Sequence, residues 1–138
     1  MILLDTVVVS ELRKVKPNAH VLAFLKQQAP DSVFLSVMTL GEIEAGIERQ
    51  RGSNVVFSTE LAQWLAVLER QFDRFVLPVT PAIAKMWGRL CVQSGNKGID
   101  NLIAATALCH NLTVVTRNVK HFEPTGVQVL NPFEPTGG

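Results

Sequence analysis

Five short apolar runs limit what this chain can become. They are Ile2-Leu3-Leu4, Val33-Phe34-Leu35, Phe75-Val76-Leu77, Thr113-Val114-Val115 and Val127 to Leu130. The first three are unbroken, and the last two are interrupted only by Thr113 and Gln128; continuous apolar runs of this kind suit strands buried on both faces of a parallel sheet. Parallel neighbours cannot be joined by a tight turn and need a crossover, usually a helix. The intervening segments have helical spacing. Val7 to Leu12 and Ala19 to Gln28 come first, the second with Val21, Leu22 and Leu25 on one face. Leu40, Ile43 and Ile47 mark a helix from Leu40 to about Arg51, and Leu61, Trp64, Leu65, Leu68 and Phe72 mark one over 55–72. Thr80-Pro81 starts another, hydroxyl at the N-cap and proline at N1, and it fades near Ser94-Gly95. Gly98 to His110 is the last. Strands alternating with helices predict one α/β domain over residues 1–133 around a mainly parallel sheet. The chain from Asn131 on is rich in Pro and Gly and reads as loose, with 134–138 a flexible tail.

A chain of 138 residues that is 47% apolar can bury a real core and is not disordered. Its net charge of +1 does not announce a nucleic-acid binder, so any such binding must use a local patch. Arg13, Lys14 and Lys16 form one basic cluster, Arg117 and Lys120 another. The plain reading of each is a solvated face. Cys91 and Cys109 have no zinc-like spacing and read as small core residues in a reducing compartment. No basic leader precedes a long apolar run, and no stretch reaches membrane-spanning length, so a cytoplasmic protein is expected.

The polar residues worth following lie just beyond the strands. Asp5 ends the first, Glu42 sits in the helix after the second, and Asn118 follows the fourth. Asp100 opens the helix that leads into the fourth and shares a face with Ile103, Ala104 and Ala107. Each has a bland explanation. Asp5 is a turn residue, Glu42 pairs with Thr39 in a capping box, and Asp100 complements a helix N-terminus. Jointly they say more, because open α/β sheets bind ligands beyond the carboxyl ends of their strands. Carboxylates gathered there repel one another and shift toward protonation unless a cation compensates them. Mg²⁺ takes oxygen ligands and keeps several waters, so a few carboxylates from separate loops suffice. Such an ion, or Mn²⁺, activates water and clamps a phosphodiester.

The ordered set Ile2-Leu3-Leu4-Asp5-Thr6, Glu42, Gly98-Ile99-Asp100-Asn101-Leu102-Ile103-Ala104-Ala105-Thr106-Ala107, Thr116-Arg117-Asn118 and Asn131-Pro132-Phe133 resembles PIN-domain proteins. The likeness is to VapC and FitB type toxins of bacterial toxin–antitoxin pairs. It implies a three-layer α/β/α fold with about five strands, usually as a homodimer, within a higher toxin–antitoxin assembly in some cases. It also implies a Mg²⁺-dependent (or Mn²⁺-dependent) endoribonuclease with an RNA substrate and a cognate antitoxin. Asp5, Glu42 and Asp100 are then the catalytic and metal-binding acids. Thr6 supports them, Asn118 falls near the family's fourth acidic position, and Arg117, Lys120, Arg13 and Lys14 are candidate RNA contacts. The sequence departs from the pattern in places. Val7 stands where many relatives have Asn, and His121 where they often have Asp. With an uncharged amide at Asn118, one ion is expected rather than two. The competing readings are a catalytically weak RNA- or antitoxin-binding module and an aspartyl-phosphate hydrolase. The latter usually needs a second Asp at position 7. His121 is either a phosphate contact or a surface histidine. No Gly-x-Gly-x-x-Gly follows the first strand, which argues against a dinucleotide site.

Overall fold

A computed structural model describes residues 1–135, so Thr136 to Gly138 of the expected tail lie outside the described residues. The five strands are β1 (Ile2–Leu4), β2 (Val33–Ser36), β3 (Val76–Leu77), β4 (Thr113–Val115) and β5 (Val129–Leu130). They form one sheet in the order β3-β2-β1-β4-β5, every neighbouring pair parallel. The chain therefore grows one way from β1 through β2 and β3, then returns to the other side of β1 with β4. That reversal opens a crevice beyond the carboxyl ends of β1 and β4.

Side chains alternate across the central strand, and the core divides accordingly. Ile2 and Leu4 face a cluster with Val8, Phe24, Ile47 and Leu65, under α1 (Thr6–Glu11), α2 (Ala19–Lys26), α3 (Val37–Arg51) and α4 (Val55–Gln71). Leu3 faces the opposite cluster with Ile83, Leu90, Ile103 and Phe122, under α5 (Pro81–Ser94), α6 (Ile99–His110) and α7 (Val119–Phe122). These are the three layers expected. Trp64 and Trp87 are half-buried, one packed against each cluster. Of the two cysteines expected in the core, Cys91 is buried and Cys109, in the last turn of α6, is exposed. Among the described residues, no helix is long and apolar enough to cross a membrane.

Caps explain most boundaries. Asn18, Asn54 and Thr80 each accept backbone N–H groups at the starts of α2, α4 and α5. The start of α3 differs from expectation. Its N-cap is Ser36, whose hydroxyl accepts the Met38 N–H at 3.0 Å, three residues before Thr39. Two hydroxyl residues compete for that role, and the one that ends β2 wins because the helix begins directly at the strand. Thr39 is thus inside the helix, and Glu42 belongs to no capping box. Ser36→Ala should cost about 1 kcal/mol in a denaturation experiment, the usual worth of a cap.

The end of the chain also corrects the sequence reading. Pro132 and Phe133 are buried, the Phe133 N–H is held by the Asn131 carbonyl oxygen of its side chain at 2.9 Å, and Arg117 lies over the Phe133 ring at 3.9 Å. A large aromatic side chain finds cover that local Pro and Gly content does not reveal. Glu134 and Pro135 are exposed.

Candidate active site

Asp5 is fixed where β1 stops. Its backbone N–H donates to the Val115 carbonyl at 2.9 Å, which ties it to the end of β4. Its carboxylate accepts the Thr6 N–H at 2.8 Å on one oxygen and the Thr116 hydroxyl at 2.7 Å on the other. The residue is 4% exposed. Burial pushes its pKa up to about 6; the Thr116 hydroxyl and the Thr6 N–H oppose that rise, while the negative charges of Asp100 and Glu42 add to it. The three acids predicted from sequence therefore act on one another through space.

The other two acids reach the crevice from separate helices. Glu42 projects from the second turn of α3, and Thr6 donates its hydroxyl to Glu42 Oε1 at 2.6 Å. Thr6 also lies 3.0 Å from the Thr39 hydroxyl, so the supposed cap residue instead buttresses the Thr6–Glu42 contact. Asp100 stands in the first turn of α6, and its face partners Ile103, Ala104 and Ala107 are all buried. Its Oδ2 lies 3.0 Å from Nδ1 of His121, an exposed side chain that thereby engages Asp100 through one ring nitrogen and leaves Nε2 open to solvent. Asn101, beside it, donates to Ser94 Oγ and to the Asn96 carbonyl, pinning the loop that delivers Asp100.

Among the described residues, no lysine or arginine pairs with these acids. Ion pairs among the described residues join Lys14 to Glu11 and Arg51 to Glu48, while Asp100 meets the His121 imidazole. Equally, no three acidic, histidine or cysteine side chains among the described residues already stand in a chelating arrangement. Glu42 is drawn toward Thr6 and Asp100 toward His121, which leaves a looser cluster than three converging ligands. The donor set still suits a hard cation. It offers only carboxylate and hydroxyl oxygens, its charge is uncompensated, and Mg²⁺ needs one or two carboxylates plus waters.

The remaining candidates separate. Asn118 is exposed beside the crevice; its backbone N–H donates to the Thr116 hydroxyl at 3.0 Å, and its side chain makes no cap. Arg117, Asn118, Lys120 and His121 line one shallow cavity of about 370 Å³. Lys14 is taken up by Glu11 at 2.9 Å, and that contact, with the Asn18 N–H, holds the Glu11 carboxyl below its usual range. Arg13 lies 5.1 Å from the Phe57 ring and lines a different cavity, one that reaches Thr6 and Glu42. Sequence reasoning passed over Thr116. The signal was available, since Thr116 follows β4 as Asp5 follows β1.

Comparison with known proteins agrees with the fold. The PIN domain profile matches residues 2–125. The chain belongs to the PIN-domain family. Within it, the chain is 34% identical to the VapC ribonuclease Y4jK of Sinorhizobium fredii, a match covering 98% of this chain and 99% of that protein. It is 33% identical to the toxin FitB of Neisseria gonorrhoeae, covering 96% and 99%. The crystal structure of FitAcB from Neisseria gonorrhoeae superimposes with a TM-score of 0.86 at 32% identity, covering 97% of this chain and 99% of that one. The PIN fold of this protein is thus of the VapC/FitB type, a class of toxin–antitoxin ribonucleases.

Proposed function

We propose that this chain is a Mg²⁺-dependent endoribonuclease and the toxin of a bacterial toxin–antitoxin pair. The supporting observation is Asp5, a buried carboxylate pushed up to about 6 beside Asp100 and Glu42, with no lysine or arginine among the described residues paired with it. Asp5 and Asp100 would hold the ion, which Mn²⁺ could replace, and Glu42 would join through a direct or water-bridged contact. A bound divalent ion would supply the Lewis acidity that acidifies water and neutralises charge on the phosphodiester. Thr116 and the Thr6 N–H fix both oxygens of Asp5. The Thr6 hydroxyl orients Glu42, whose free carboxylate oxygen can accept a proton from the attacking water. His121 aims Asp100 by donating to one of its oxygens. Asn118, which follows Thr116 and lines a cavity with His121, carries an uncharged amide, which favours one ion over two. Arg117 and Lys120 lie beside it for phosphate contact.

The names of the relatives extend the reading to partners. FitB is called a toxin and Y4jK a ribonuclease, so we assign this chain an RNA substrate and a cognate antitoxin; a homodimer in the cytoplasm, with the domain ending near residue 133, is the reading carried over from the sequence resemblance. The test is cleavage of RNA by the purified protein. It should require Mg²⁺ or Mn²⁺, stop in chelator, and fall at least a hundredfold in Asp100→Ala, a loss of several kcal/mol of transition-state stabilisation. Retained cleavage in chelator or by that variant would reject the metal-dependent assignment, whereas no cleavage with equal growth arrest on expressing wild type and variant would favour the non-catalytic binding module suggested by Asn118 and His121.

A further inference from the structure

A second feature opens directly onto Glu42. Between α1, α3 and α4 runs a groove of about 330 Å³ with Thr6 and Glu42 at its inner end. Gly46 forms part of its floor, and Arg13 and Arg49 stand on its walls. Neither arginine has an ion-pair partner among the described residues, whereas the adjacent Lys14 and Arg51 are both engaged. Arg13 is held by the Phe57 ring instead, which leaves its charge available. Ser10 and Gln50 add neutral hydrogen-bonding groups, and Trp64 a half-buried aromatic surface.

We propose that this groove is the track for the RNA strand on one side of the scissile phosphate, with Arg13 and Arg49 binding successive backbone phosphates. The inference rests on the nuclease reading and extends it with a substrate path and a residue, Arg49, that has no place in the acidic site. Charge complementarity carries it. Two guanidiniums without ion-pair partners among the described residues line a groove whose one acidic residue is Glu42, so an anionic strand is attracted along the walls and meets negative charge only at Glu42, on the side of the proposed metal site. Arginine suits phosphate because its planar fork makes paired hydrogen bonds. Gly46 keeps the floor open. A Cβ there would meet only Arg49 Nη2, at 3.8 Å, an ordinary contact, so a side chain at this position starts from open space beside Arg49.

The test is binding of a short fluorescein-labelled single-stranded RNA to the full chain in chelator, where cleavage plays no part. Arg13→Gln/Arg49→Gln should weaken binding about tenfold and flatten the dependence of log affinity on log salt by about 1.4, two phosphate contacts' worth for a single strand. Gly46→Leu should weaken binding with net charge unchanged. Lys85→Gln/Arg89→Gln, on the exposed face of α5, should leave it as it is. The proposal is overturned if wild type does not bind, if the arginine double variant keeps its affinity and salt slope, or if the α5 variant is equally weakened. The second of these outcomes would leave the groove to a peptide partner. Groove effects in a protein that cleaves nothing with Mg²⁺ would instead refute the nuclease reading and leave the groove as an RNA site.

Discussion

Asp5→Asn should abolish RNA cleavage, by about a thousandfold or more, while making the metal-free protein more stable near pH 7. Both effects have one cause. The Asp5 carboxyl titrates at about 6 in the folded chain against 3.8 for an unperturbed aspartate, chiefly because it is buried. The folded state therefore holds this proton more tightly than the unfolded state. The stability this contributes is fully present below 3.8 and is lost as pH rises through about 6. Above that, ionised Asp5 costs the metal-free fold about 3 kcal/mol, from roughly two units at 1.36 kcal/mol each. Asparagine keeps an acceptor for the Thr6 N–H and never ionises. Denaturation in chelator near pH 7 should show the variant ahead by about 1–3 kcal/mol, with the gap closing toward about pH 4. Mg²⁺ should stabilise wild type and not the variant, since a ligand that binds only the folded state adds to its stability. A variant less stable than wild type in chelator would mean that Asp5 is a structural residue.

Thr116→Val should act in the opposite sense on stability. The hydroxyl donates to Asp5 Oδ2 and accepts the Asn118 N–H, and Thr116 is fully buried. Valine matches its shape and leaves a charged acceptor and a backbone donor short of partners. Hydrogen bonds to charged groups are worth about 1.5–3 kcal/mol, so a loss of about 2–3 kcal/mol is expected near pH 7. The loss should shrink near pH 5, where Asp5 is mostly protonated, because the hydroxyl is among the groups holding its pKa down. Cleavage should fall about 10–100-fold, the usual effect of removing a residue that orients a metal-binding carboxylate. Urea titrations at both pH values check the first claim and initial rates the second. A pH-independent loss would detach Thr116 from the titration of Asp5.

The architecture was legible because five apolar runs and their helical spacers each carry their own signal. The position of Asp5 followed from the end of β1 alone. Glu42 and Asp100 were legible as acids beyond strand ends, but not their partners. Thr39 and Ser36 are both good caps locally, and only the junction of β2 with α3 decides between them. His121 lies in a short helix after β4, so its approach to Asp100 depends on the packing of α7 against α6, which no local pattern encodes. Phe133 is the same kind of case, its burial set by Arg117 and the first core cluster rather than by its neighbours in sequence. The basic residues were the least legible. Lys14 and Arg13 are adjacent, yet one is spent on Glu11 and the other faces the groove.

Crystals of the protein grown with Mn²⁺ and examined for anomalous scattering test the central claim most directly. An ion should appear between Asp5 and Asp100, with carboxylate oxygens at about 2.0–2.2 Å and Glu42 bound to it or to one of its waters. A map with no ion there, and with Asp100 still held by His121 and Glu42 by Thr6, would contradict it.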